Sequence, residues 1–292
     1  MVSRREPPPD PRARPSALAV VPARLGSTRL PRKMLLRDTG RYLFEHTVRN
    51  AERCALLERV VLATDSAEIM RAAQEVGVTA IATSPDHPSG TDRVAEAHRS
   101  LLAAGEGPWD VVVNVQGDEP ELPPADLELL IGAFAEAAVE IATLSAPIAT
   151  REEALDPGIV KVVTDARGEA LYFSRSPIPS LDHPSRPMAP GAPGLAGLRR
   201  HLGVYAFRPT ALAFFCALPR GGLEATESLE QLRWLEAGRR MRVLPASRLT
   251  LGIDTAEHYA AFRAAVRARE APASAPALPS PPRPSRVDPP SR

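Results

Sequence analysis

Short apolar runs alternate with amphipathic stretches along the first half of this 292-residue chain, and that alternation limits the fold more than any other feature. The runs are ALAVVPA at 17–23, RVVLAT at 59–64, VTAIAT at 78–83 and DVVVNVQ at 110–116. Segments near 44–57, 66–76, 91–104 and 124–138 carry helical spacing. Strands apolar on both sides need cover on both sides, and connections of this length suit parallel neighbours joined by helices. The pattern predicts an α/β fold with a mostly parallel or mixed central sheet. The second half differs. IVKVVTD (159–165), ALYFS (170–174) and RHLGVYAF (200–207) follow one another with little helix between. They predict a smaller antiparallel sheet within a sub-region of about 159–210. A Pro- and Gly-rich stretch at 180–198 reads as a mobile loop. Helices at 209–217 and 226–237 and a last strand and helix at 249–269 return the chain to its main body.

Both ends lack the large apolar side chains needed to offset the entropy of ordering. A disordered extension is therefore expected at 1–16 and a disordered Pro-rich tail at 271–292, around a folded body at 17–270. A net charge of +1 provides no overall field toward nucleic acid or an acidic membrane. No apolar run approaches the roughly 20 residues of a membrane helix. Prolines follow the twin arginine of MVSRREPPPDP where an export signal would be apolar. The two cysteines, Cys54 and Cys216, form no disulfide framework and no metal-ligand spacing. These features point to a cytoplasmic protein without nucleic-acid or membrane partners.

In open α/β sheets, ligands bind beyond the carboxyl ends of the strands. The first strand there delivers RLGSTRLPRK, with Arg24, Arg29, Arg32 and Lys33. Later strand ends deliver Asp65, PDHPSGTDR (85–93), QGDEP (116–120) and GIDTAEH (252–258). Clustered cations suit phosphates. Asp118 and Asp254 suit Mg2+, which takes one or two protein carboxylates together with substrate phosphates. The combination predicts a nucleoside triphosphate with its metal. Neither a GxxxxGK[ST] loop nor GxGxxG occurs, which removes support for P-loop chemistry and dinucleotide binding. Asp254 has a second reading, since Asp254 and Glu257 have capping-box spacing. His201 likewise reads equally as a hydrogen-bonded strand histidine. Only two of the 36 basic residues are lysines, Lys33 and Lys161.

PARLGSTRLPRK, HPSGTDRVAE, VNVQGDEP, VKVVTD, LYFSR, RHLGVYAF, LEQLRWLEAG and GIDT occur in an order that resembles the 3-deoxy-manno-octulosonate (Kdo) cytidylyltransferases over residues 17–270. The resemblance implies a Rossmann-like nucleotidyltransferase fold and a cytoplasmic homodimer joined through the smaller sheet. It also implies transfer of CMP from CTP to the anomeric hydroxyl of Kdo, an acidic sugar, with Mg2+, in lipopolysaccharide synthesis. Arg24, Ser27, Arg29 and Lys33 match the triphosphate loop, while Ser89, Gly90, Thr91 and Gln116 match the cytosine pocket. Asp118 and Asp254 match metal ligands, and Arg24, Arg29 and Lys33 join them as catalytic residues. Lys161, Arg175, His201, Tyr205, Glu230 and Gln231 match the sugar side. The loop ends in Arg32-Lys33-Met34 where the family commonly has Gly-Lys-Pro. Other readings are a cytidylyltransferase for a sialic acid or amino-Kdo, a nucleotide-sugar-dependent glycosyltransferase, and a non-catalytic nucleotide-binding protein. The glycosyltransferase would be expected to carry a DxD motif, which GDEP does not supply.

Overall fold

The first strand, β1 (Ala17–Ala23), is buried at every residue, and its side chains divide between two cores. Ala17, Ala19 and Val21 join Phe44, Val48, Ile69 and Leu127 on one face of the sheet. Leu18 and Val20 join Val94, Leu101, Leu212, Phe215 and Trp234 on the other. This two-sided burial explains why the segment is continuously apolar, and each large side chain so buried contributes about 1.5–3 kcal/mol. The computed structural model describes residues 14–181 and 197–270. Most of the expected extension, the tail and most of the loop expected at 180–198 lie outside the described residues.

β1 pairs in parallel with β2 (Leu57–Thr64) and β4 (Val111–Asn114), and β2 pairs in parallel with β3 (Ala80–Ala82). The connections are α1 (Leu43–Ala51), α2 (Ala67–Glu75) and α3 (Gly90–Ala103). After α4 (Pro124–Gly132) comes β5 (Ile141–Pro147), then α5 (Arg151–Leu155), β6 (Lys161–Thr164), β7 (Ala170–Ser174) and β8 (Arg199–Phe207). The chain continues through α6 (Pro209–Ala217), α7 (Gly222–Glu227), α8 (Leu232–Glu236), β9 (Arg242–Pro245) and α9 (Ala256–Glu270). Among the described residues the sheet has nine strands, in the order β3-β2-β1-β4-β8-β5-β9, with the β6–β7 ribbon attached to β8. The mixed α/β sheet agrees with expectation.

The ribbon is not a separate layer. β6 pairs antiparallel with the start of β8, Lys161 opposite Arg200, while β4 occupies the far end of β8, Asn114 opposite Tyr205. One long strand thus serves both the main sheet and the ribbon. The register between β5 and β8 shifts at Thr143/Leu144, where Thr143 faces Tyr205 and Leu144 faces Leu202. Such irregularities bend a strand and re-aim its side chains.

Several expectations about elements differ from the structure, among them the helix expected at 124–138, which ends at Gly132. β5 and β9 were not anticipated, because IATLSAP is built largely of small residues directly after a helix and RVLP is only four residues long. The helix expected at 44–57 ends at Ala51, and β2 begins at Leu57. The helix expected at 226–237 is broken by Ser228, which takes the left-handed conformation at φ 54° and separates α7 from α8. Residues 249–255 form no strand; they dock on the site through Ile253 N–H, which donates to Asp118 O at 2.8 Å.

Candidate active site

Lys33 lies where the two predicted metal carboxylates converge. Its Nζ donates to Asp118 Oδ2 at 2.5 Å and to Asp254 Oδ1 at 2.7 Å, and Arg29 Nη2 reaches Asp254 Oδ2 at 2.9 Å. Lys33 opens a single helical turn anchored by buried Met34. Arg32, just before it, takes φ 57°, in the region that favours glycine. The chain follows this turn with arginine rather than glycine. Arg32 pairs with Glu68 across the surface. Arg24 Nη2 donates to His87 O at 3.0 Å, tying the start of the loop to the segment before α3. Ser27 Oγ accepts from Leu30 N–H at 3.4 Å.

Burial opposes the Lys33 charge, but Asp118 and Asp254 outweigh it and hold the ammonium above the ordinary lysine range. Burial likewise opposes the Asp254 carboxylate, and Lys33 and Arg29 outweigh it and bring its pKa below the usual value. Glu119, which sequence reasoning passed over, behaves in the opposite way. Burial first, then the charges of Asp118 and Asp254, push its pKa up to about 8. Its Oε2 is shielded from solvent and has no hydrogen-bond partner. The signal available in the sequence was a second acid directly after Asp118.

The two carboxylates meet because two distant loops are stitched together. Gly117 fits tightly: a Cβ there would lie 2.8 Å from Pro22 O and 3.2 Å from Met34 Sδ. Thr47 Oγ1 donates to Gly117 O at 2.8 Å, and the Ile253–Asp118 bond joins the segment that carries Asp254. Asp254 does not cap α9. Thr255 does, with Oγ1 accepting from His258 N–H at 3.2 Å. The Asp254 carboxylate is thereby free of any helix-end duty and faces Lys33 and Arg29.

Ser89 caps α3, accepting from Asp92 N–H at 3.2 Å and donating to Asp92 Oδ2 at 2.7 Å. Gly90 packs beside Pro22 and Gln116: a Cβ there would meet Pro22 Cγ at 3.6 Å and Gln116 Oε1 at 4.0 Å. Gln116 Nε2 donates to Asn114 Oδ1 at 3.1 Å, and Asn114 Nδ2 to Thr91 Oγ1 at 3.3 Å. Thr91 Oγ1 in turn donates to Glu230 Oε1 at 2.6 Å. One hydrogen-bond chain thus links the expected base pocket to the expected sugar side. Asn114, the middle link, was not among the anticipated residues.

Among the residues expected on the sugar side, the His201 ring lies 4.9 Å from Phe173 and 5.3 Å from Tyr205, between ring centroids. Its Nε2 is 2.9 Å from Thr143 Oγ1, and burial pushes its pKa down to about 3, so the imidazole is neutral. Tyr205 is held well above its ordinary value by burial, with Glu230 and Glu119 adding to the effect. Glu230 is raised chiefly by burial. Glu230 Oε2 and Gln231 Nε2 are both shielded and unpartnered, which marks them as groups held for something other than internal pairing. Arg175 and Lys161 are instead occupied with backbone carbonyls. The Arg175 side chain donates to the carbonyls of Glu227 at 2.8 Å and Pro157 at 3.0 Å. Lys161 is fully buried, and its three protons go to the carbonyls of Asp156, Ile159 and Arg175.

Cations after β1 in contact with carboxylates after β4 and before α9, beside the Gln116–Asn114–Thr91–Glu230 hydrogen-bond chain, lie beyond the carboxyl ends of the parallel strands, where α/β sheets bind ligands. The chain belongs to the cytidylyltransferase family, whose pattern matches residues 18–241. Two relatives are called 3-deoxy-manno-octulosonate cytidylyltransferase. The one from Nitratidesulfovibrio vulgaris (strain DP4) is 47% identical over 238 residues, covering 82% of this chain and 91% of the relative. The one from Anaeromyxobacter sp. (strain Fw109-5) is 47% identical over 249 residues, covering 85% and 96%. A solved structure of CMP:2-keto-3-deoxy-manno-octonic acid synthetase complexed with CTP superposes with a TM-score of 0.76 at 38% identity, covering 87% of this chain and 99% of that one.

Proposed function

We propose that this enzyme transfers CMP from CTP to the anomeric hydroxyl of 3-deoxy-manno-octulosonate, releasing pyrophosphate, for lipopolysaccharide synthesis. The observation that carries the reading is the continuity of the site. The Arg29–Asp254–Lys33–Asp118 knot and the Thr91–Glu230 bond support a triphosphate-type site beside a polar acceptor pocket, both beyond the carboxyl ends of the central strands. Relatives with the same name share nearly half their residues with this chain.

The cations perform the electrostatic part of the reaction. Arg24, Arg29 and Lys33, with the turn at Ser27, meet a triphosphate at the end of β1 and stabilise the charge that builds on the departing pyrophosphate. Ser89, Gly90, Thr91 and Gln116 border the space left for the base. The sugar is received by Glu230, Gln231, Tyr205 and His201. His201 is neutral and acts as a hydrogen-bonding wall rather than a cation. The acceptor hydroxyl is held in line with the phosphorus by these contacts, which replaces the entropy loss of a bimolecular encounter with pre-orientation.

Mg2+ fits the residues present. Asp118 and Asp254 are hard oxygen donors whose oxygens converge on one cation, the Lys33 ammonium, and they would hold the metal. Two carboxylates leave the rest of a Mg2+ shell to substrate phosphate and water. Mg2+ supplies neutralisation of phosphate charge at the reacting centre. A homodimer is supported by the β6–β7 ribbon, where Leu171 on the outer strand is 62% exposed. A cytoplasmic setting is supported by two free thiols, Cys54 and Cys216, and no helix among the described residues is long and apolar enough to cross a membrane. The deciding experiment is pyrophosphate release from each of the four nucleoside triphosphates with Mg2+, with Kdo, amino-Kdo, a sialic acid or no sugar. Release that requires CTP and Kdo together is expected. Equal release with a sialic acid, or release without sugar, refutes the assignment.

A further inference from the structure

A chain with 36 basic residues and only two lysines accepts arginine nearly everywhere a cation is needed, so a buried lysine calls for a physical reason. Lys161 Nζ donates to Asp156 O at 2.9 Å, Ile159 O at 2.6 Å and Arg175 O at 2.5 Å. An ammonium has three protons and no acceptor, so its capacity is fully used by backbone. A pyramid of three donors matches three converging carbonyls, whereas a planar guanidinium fork does not.

The carbonyl of Arg175 receives one of these bonds, and Arg175 passes the constraint on. Its N–H donates to Glu227 Oε2 at 2.9 Å and its Nε to Glu227 O at 2.8 Å, with Nη2 at 3.5 Å from Ser228 O. The other oxygen of Glu227 accepts from Ser174 Oγ at 2.6 Å. These bonds close on the left-handed break at Ser228. The next residues are Leu229, Glu230 and Gln231, the last two carrying the unpartnered buried atoms of the sugar side.

We propose that Lys161 is a positioning residue for the acceptor sugar: through Arg175 it fixes the Glu227–Ser228 break and thereby aims Glu230 and Gln231, without touching the sugar itself. The proposal rests on the sugar-side reading above. Arg175 is the intermediate link, and its guanidinium is engaged with carbonyls of the same hinge. The chemistry needed at this point is three-directional donation, which explains why lysine persists in an arginine-rich chain.

Lys161→Arg and Lys161→Met test it by two readouts. The first is hydrogen exchange in the ligand-free protein, at the amides of Leu232 and Arg233, which bond to Leu229 O and Glu230 O. Exchange there is expected to accelerate in both variants while α3 amides are unchanged. The second is steady-state kinetics, where KM for Kdo is expected to rise about tenfold or more with KM for CTP within about twofold. A raised Kdo KM with unaltered exchange overturns the proposal in favour of direct sugar contact. An equal rise for both substrates, or a lower Tm with unchanged Kdo KM, reduces Lys161 to a stabiliser. If both variants fail to fold, Glu227→Gln loosens the same chain from its other end, and an unchanged Kdo KM there overturns the proposal. Absence of Kdo-dependent turnover in the wild type would instead remove the functional reading, while the exchange result would still report on the hinge.

Discussion

Gly117→Ala should damage both stability and turnover, because the added methyl has nowhere to go. Its Cβ would sit 2.8 Å from Pro22 O, against an ordinary carbon–oxygen contact of about 3.3 Å or more. Met34, whose Sδ and Cε would lie at 3.2 Å and 3.3 Å, can bend aside, since methionine adapts readily. Pro22 cannot. It belongs to β1, which is held by β2 on one side and β4 on the other. The loop carrying Asp118 must therefore retreat by about half an ångström. Overpacking of this kind costs roughly 1–3 kcal/mol, which for a domain of this size lowers Tm by roughly 2–10 °C. Misplacement of about 1 Å can cost on the order of a hundredfold in rate, so half of it should lower kcat about tenfold. Thermal melts and saturating kinetics with CTP, Kdo and Mg2+ measure both. A variant with unchanged Tm and kcat would show slack between β1 and the Asp118 loop and would refute the close-approach argument.

Arg32→Gly should raise Tm by roughly 1–3 °C, because glycine relieves a left-handed residue at a cost of no more than one exposed ion pair; a lower Tm would mean that the Glu68 contact matters more than the backbone. Asp254→Asn should lower Mg2+-dependent turnover about a hundredfold or more while α9 keeps its Thr255 cap; lost stability with normal turnover would make Asp254 structural. His201 is depressed from 6.5 to about 3 by burial, so below pH 6.5 the unfolded chain takes up a proton that the folded state refuses. Stability should therefore fall as pH drops from 6.5 toward 3, by at most about 1.4 kcal/mol per pH unit from this group. His201→Asn should remove that part of the slope in urea titrations across the range, and an unchanged slope would place the imidazole in contact with water.

Much of the fold was readable because parallel strands buried on both faces leave a strong one-dimensional mark. ALAVVPA and DVVVNV could hardly be anything else. The elements that escaped are those whose pairing partner lies far away and supplies the stabilisation. β9 is four residues long and exists because β5 is beside it, with Ala142 opposite Arg242. β5 is in turn held by β8, some sixty residues later in the chain. The break at Ser228 was hidden for a related reason. SLEQLRWLE has good helical spacing, but Glu227 O is taken by Arg175 Nε and the backbone leaves the helix there. Local propensity yields to a tertiary hydrogen bond.

The site was legible as a set of residues but not as a set of relations. Reading strand ends gathered Arg29, Lys33, Asp118 and Asp254 from three distant stretches into one expected triphosphate-and-metal site, but with the cations at one end and the carboxylates at the other, as two separate groups. In the structure they are one. Lys33 is 11% exposed at its side chain, and Asp118 and Asp254 are 20% and 33% exposed. At that depth, removing one partner would leave the other as an uncompensated charge, which is strongly unfavourable. The two sets therefore neutralise each other across the cleft. Under the proposed function each would also meet a charge that the substrate brings: cations the triphosphate, carboxylates its metal. Mutual pairing keeps both sets folded in place with their geometry ready, at a net charge near zero. The same logic explains Glu119. Buried first of all, and beside two acids that already share Lys33, its carboxyl finds no cation and is held toward its neutral form, a consequence of depth and proximity together that no reading of GDEP alone can supply.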